Sequence, residues 1–187
     1  MRKDGGTNGR ARNVPVFRAC GLACTLGLVA CGGDDVVVGG PGQPTGCPEV
    51  RIVGDTAEVT QFRDGPGRDL TDVEARGVIA DFSGECTYGD EDVTVDLNLV
   101  IGAEKGPAAA TDSARFDYFV AVTDPQQTIL NKELFETELT FEGGAVRTAV
   151  VEELQLSIPL DQIGDGSFYE VLVGFQMTPD QLEFNRR

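Results

Sequence analysis

The chain has 187 residues, with 31 Asp and Glu against 15 Lys and Arg and a formal net charge of -16. That length suits one domain with a real core rather than two, and an acid excess of this size is repelled by phosphate backbones, so no nucleic-acid partner is expected. The sequence contains no His, which removes the commonest general base, the commonest zinc ligand and every Ser-His or Cys-His nucleophile pair.

The charge is distributed unevenly. Residues 1–30 hold Arg2, Lys3, Arg10, Arg12 and Arg18 against the single acid Asp4, which leaves 10 basic and 30 acidic residues in 31–187. Most of that excess is expected to solvate the surface. After Arg18 comes a 12-residue run of apolar and small residues, 19–30, and then Cys31. A basic stretch followed by a short apolar run has the pattern of a secretory signal. It falls short of the roughly 20 residues that span a hydrocarbon core. The 17 residues ahead of Arg18 make a long basic region: either translation starts further along, or the signal is an extended one.

Leu28-Val29-Ala30-Cys31 resembles the lipobox of bacterial lipoproteins. The resemblance implies that residues 1–30 are removed and that the Cys31 thiol takes a diacylglyceryl group. The new amino terminus would be acylated as well. Two or three acyl chains anchor a protein stably, since each buried methylene contributes about 0.8 kcal/mol. The membrane partner is therefore expected to be lipid, engaged through Cys31. Gly21-Leu22-Ala23-Cys24 is a weaker match, with only two apolar residues between Arg18 and Gly21. Gly32 follows Cys31 where Asp would favour retention in the inner membrane of enteric bacteria, so the resemblance points to the outer membrane, facing the periplasm.

Residues 31–46 are the lipidated Cys and a tether dense in Gly and Pro, a composition that forms no packed element. Beyond it only Cys47 and Cys86 remain. An isolated pair in an oxidising compartment is expected to form a disulfide, tying the first strand to the sheet.

From about residue 49 the apolar period is two. Val78, Ala80, Phe82, Gly84 and Cys86 alternate with polar residues; Val93, Val95, Leu97, Leu99 and Ile101 form the next apolar face. Tyr88 to Asp92 reads as a hairpin turn between them. Phe116, Tyr118, Val120 and Val122 repeat the pattern up to Asp124-Pro125, followed by Phe135, Thr137, Leu139 and Phe141. A Gly143-Gly144 turn leads to Val146, Thr148 and Val150, then Leu154, Leu156 and Ile158. Tyr169, Val171, Val173, Phe175 and Met177 close the series. With short runs near 49–53 and 56–62, these features predict an immunoglobulin-like antiparallel β-sandwich of seven to eight strands over 47–187, a small barrel being the alternative. Thr178-Pro179-Asp180-Gln181 predicts a capped terminal helix carrying Leu182 and Phe184 to one end of the sandwich.

Acidic groups recur at Asp64/Asp69/Asp72, Asp90/Glu91/Asp92 and Asp161/Asp165. The last resembles the start of an EF-hand loop, but Ile163 stands at the third-position ligand and Leu172 where the bidentate Glu belongs. No metal site, cofactor or catalytic residue is assigned, and no enzymatic activity is expected. Cys47-Pro48, the run from Gly67 to Val73, Tyr118-Phe119-Val120-Ala121-Val122 and Asn185-Arg186 make the body similar to uncharacterised Gram-negative envelope lipoproteins, a resemblance that carries export and a β fold and no chemistry. The expected role is a non-catalytic interaction or assembly module with an envelope protein as partner. A periplasmic ligand- or cation-binding module using the acidic loops is the alternative, and a carboxylate-based hydrolase the third.

Overall fold

The computed structural model describes residues 46–160 and 165–187. The expected signal, Cys31, the tether up to residue 45 and Asp161 lie outside them. The described residues form eight strands: β1 (Glu49–Ile52), β2 (Glu58–Phe62), β3 (Val73–Tyr88), β4 (Asp92–Lys105), β5 (Ser113–Thr123), β6 (Ile129–Thr140), β7 (Arg147–Pro159) and β8 (Glu170–Phe175). A single α-helix, α1 (Pro179–Asn185), follows. The strands make two four-stranded sheets, ordered β1-β8-β5-β6 and β2-β3-β4-β7. This is the β-sandwich with a terminal helix that the alternation predicts, and the two sheets do not close into a barrel. One pairing departs from the antiparallel pattern: β1 runs parallel to β8.

The core fills the space between the sheets. Val93, Val95, Leu97, Leu99, Ile101 and Ala103 of β4 are all buried there, opposite Phe116, Tyr118 and Val120 of β5 and Val171, Val173 and Phe175 of β8. Phe116 and Phe175 pack with ring centroids 5.6 Å apart. Beneath them a Cβ on Gly77 would come within 3.0 Å of both rings, so this position on β3 has room only for hydrogen.

Two strands differ from the simple alternation. In β3, Ala80 has no partner on β4: Ile79 pairs with Ile101 and Asp81 with Val100. Such a bulge inverts the facing of everything beyond it. Ala75, Gly77 and Ile79 therefore face inward before it and Phe82, Gly84 and Cys86 after it, while Val78 and Ala80 turn to solvent. In β7 the two expected runs are one unbroken strand. Val146 precedes it and is exposed, and Glu152 occupies an inward position between Val150 and Leu154.

Backbone bonds at its two ends fix the facing of β7. Leu160 N–H donates to the Glu91 carbonyl and Lys105 N–H to that of Val146, with no register shift between. Even-numbered residues of β7 thus turn their backbone groups to β4, and odd-numbered ones to the free edge. Pro159 is odd-numbered, so its missing N–H removes no ladder bond.

The disulfide holds one side of the sandwich. Cys47 and Cys86 are bonded with Cα atoms 5.8 Å apart, across 39 residues of sequence. Cys47 leads into β1, the outer strand of one sheet, and Cys86 lies on β3 in the other. The link therefore joins the two sheets to each other rather than the first strand to its own sheet. Tyr88 adds to this closure: its hydroxyl donates to the Gly46 carbonyl and accepts from Gly166 N–H. At the chain's end the Thr178/Gln181 capping box starts α1. Phe184 meets Phe62 edge-on at 5.1 Å, and Asn185 Nδ2 donates to the carbonyls of Asp55 and Glu58. The helix is thereby moored to β2 and the turn before it.

Closing a loop of this length stabilises by about 4 kcal/mol in the chain-entropy treatment. Replacing Cys47 and Cys86 together by Ala is expected to lower Tm by on the order of 10 °C, read by calorimetry under non-reducing conditions. An unchanged Tm would show that the link adds nothing to the sandwich.

Candidate interaction surfaces

The acidic groups singled out from sequence do not form a common site. Asp72 is buried, where its carboxylate meets Arg63 at 2.5 Å and accepts from Asp69 N–H at 3.2 Å. It fixes the loop before β3. Asp92 Oδ2 accepts from Ser157 Oγ at 2.6 Å, which ties β4 to β7. Asp165 Oδ1 accepts from Ser167 N–H at 2.9 Å. Among the described residues no three acids or cysteines are grouped to hold a metal ion.

Two surfaces stand out instead. The first is the outer face of the β2-β3-β4-β7 sheet. Cross-strand register there aligns Val78 with Gly102 and Ala149, and Val100 with Val151. Val78 is 36% exposed and Val151 55%. Small and branched apolar residues thus form a stripe across three strands. Charge borders it, with Arg147 paired to Glu104 at 2.9 Å. On an outer sheet face whose other residues are mostly polar or charged, this stripe is a candidate contact surface.

The second surface is the seam where β6, the outer strand of one sheet, faces β7, the outer strand of the other. At its closed end Thr137 Oγ1 donates to Glu152 at 2.6 Å. Below them Tyr118 stacks on Phe135, centroids 5.3 Å apart. Burial first, and then the charge of Glu152, push the Tyr118 hydroxyl up to about 12. Further along, the seam opens into a groove of about 440 Å³. Val122, Leu130, Leu156 and Ile158 give it an apolar floor and walls, and Glu133 on β6 supplies a carboxylate. Glu133 pairs in register with Val120 and Glu152 with Leu99, so both acids stand on inward-facing positions. Zipping β6 onto β7 beyond the Thr137–Glu152 tie would strip water from the Glu133 carboxylate, the device by which edge strands are kept apart. The sequence reading missed this seam because an acid at an inward position looks like an interruption of a strand rather than a feature of it.

Among the described residues no helix is long and apolar enough to cross a membrane. No family model, curated protein or solved structure matches the chain.

Tyr118 makes the seam sensitive to alkali. Its pKa is raised on folding from 10.0 to about 12. The stability it contributes is therefore fully present below pH 10 and is lost as pH rises through about 12. Chemical denaturation of Tyr118→Phe and the parent across pH 8–12 is expected to show the parent losing on the order of 2 kcal/mol more than the variant. Parallel curves for the two proteins would contradict the assignment.

Proposed function

We propose that this chain is a lipid-anchored envelope protein whose sandwich is a non-catalytic interaction or assembly module on the periplasmic side of the outer membrane. The observation that carries the anchor is Leu28-Val29-Ala30-Cys31, placed after a basic region and a 12-residue apolar run and before a Gly/Pro-dense tether. Two features of the folded body fit that reading. The disulfide partner Cys47 begins the domain directly after the tether, as suits a protein that folds in an oxidising compartment. The apolar stripe of Val78, Val100 and Val151 gives a tethered module a surface for a protein partner.

The division of labour is physical. Acyl chains on Cys31 would fix the module to the lipid surface, and the tether would let the sandwich range over the space above it. Confinement near a membrane raises the effective concentration toward any partner held on the same surface, so modest contacts suffice for association.

The test is Cys31→Ser with radiolabelled palmitate in growing cells. The parent is expected to incorporate label and to partition with membranes, lacking residues 1–30. The variant is expected to incorporate none and to appear as unprocessed precursor or soluble protein. Equal membrane association and equal mobility of the two would overturn the anchor.

A further inference from the structure

The groove between β6 and β7 has an unpaired strand edge along one wall, and the two edges differ in how they are protected. Phe141 N–H donates to the Asp112 carbonyl, so odd-numbered residues of β6 turn their backbone to β5 and even-numbered ones outward. Along that outward edge Lys132, Glu136 and Glu138 flank the exposed Leu134, and their charges discourage another strand from pairing there. The β7 edge is different. From Leu154 to Ile158 it carries no charge, and Gln155 and Ser157 turn their N–H and C=O groups outward. No described strand pairs with it.

We propose that this stretch of β7 accepts an extended segment of a partner protein as a fifth strand, and that the segment is cationic and amphipathic. Main-chain bonds to Gln155 and Ser157 would supply the pairing. Successive side chains of an added strand point to opposite faces, so every second residue would enter the groove. There it meets Leu156, Ile158, Val122 and Leu130, which select apolar side chains, and Glu133, which selects Lys or Arg. The charge balance of the chain argues the same way: 30 acids against 10 bases in 31–187 repel an acidic strand and attract a basic one. A second copy of this domain, with the same acid excess, is the poorer electrostatic match. The proposal rests on the interaction-module reading and not on the anchor at Cys31.

The probe is a fluorescein-labelled nine-residue peptide with Thr at every second position and Val-Val-Lys-Val-Val at the positions between (the Val/Lys peptide), compared with the same peptide carrying Glu for that Lys (the Val/Glu peptide), on the full-length protein. Anisotropy is expected to show saturable binding of the Val/Lys peptide and at least about tenfold weaker binding of the Val/Glu peptide. Hydrogen exchange at the amides of Gln155 and Ser157 is expected to slow when the Val/Lys peptide is bound. Gln155→Pro removes an outward donor and leaves the β4 backbone ladder in place, losing besides only the exposed Gln155 Nε2–Asp96 Oδ1 bond, so Tm should fall by no more than a few degrees while binding is lost. Glu133→Lys is expected to remove most of the preference between the two peptides, and it carries the test alone should Gln155→Pro fail to fold.

Absence of binding up to about 1 mM would overturn the proposal. So would binding that survives Gln155→Pro in a folded protein, or an unchanged preference in Glu133→Lys. A dimer seen by sedimentation and dissolved by Gln155→Pro would make a second copy the occupant and overturn the peptide partner. Each of these results leaves the anchor standing, because that reading fails only on the labelling and fractionation of Cys31→Ser.

Discussion

β4 lies between β3 and β7 and gives every inward position from Val93 to Ala103 to the space between the sheets, none of them more than 5% exposed. Burying each of the larger of these side chains is worth roughly 1.5–3 kcal/mol. That sum is available only while β5 and β8 cover the same face. A strand with period-two apolarity over the 11 residues from Val93 to Ala103 therefore forces a second sheet into existence. The choice of which strands make it follows from their own inward residues, Phe116 to Val122 on β5 and Val171 to Phe175 on β8.

The two long sides of this sandwich are closed by different means. On the β1/β3 side a covalent bond and the Tyr88 hydroxyl tie the sheets together at the point where the folded body begins. On the β6/β7 side one Thr137–Glu152 hydrogen bond spans the gap, and beyond it the sheets part into a groove. A sandwich sealed on both sides would offer loops and flat faces alone. Leaving one side unzipped exposes backbone groups of an edge strand beside an apolar cleft, which is the geometry that strand addition requires. The inward acid Glu133 keeps it open, at the expense of core area that an apolar residue would have filled, while Glu152 serves the closed end.

Much of the architecture is legible in the linear chain because it depends on local periodicity. The faces of β4, β5 and β8, the Gly143-Gly144 turn and the Thr178 cap are each read from residues within a dozen positions of one another. Gly143 and Gly144 adopt φ of 60° and 79°, where a glycine pair is favoured. The Cys47–Cys86 pair is legible for a different reason: after Cys31 no other cysteine remains to compete.

The sequence by itself determined the alternation, a count of seven to eight strands, the pairing of the last two cysteines and the motif at Cys31, since each is a matter of residue type and spacing. Tertiary structure alone decided the rest. The bulge at Ala80 that turns Val78 outward arises from register against β4, and a single strand does not encode its partner's register. The parallel pairing of β1 with β8 and the placing of β6 beside β7 join segments far apart in the chain, where no local period acts. For the same reason the apolar stripe and the groove, both assembled from several strands, came into view only when the sheets were in place.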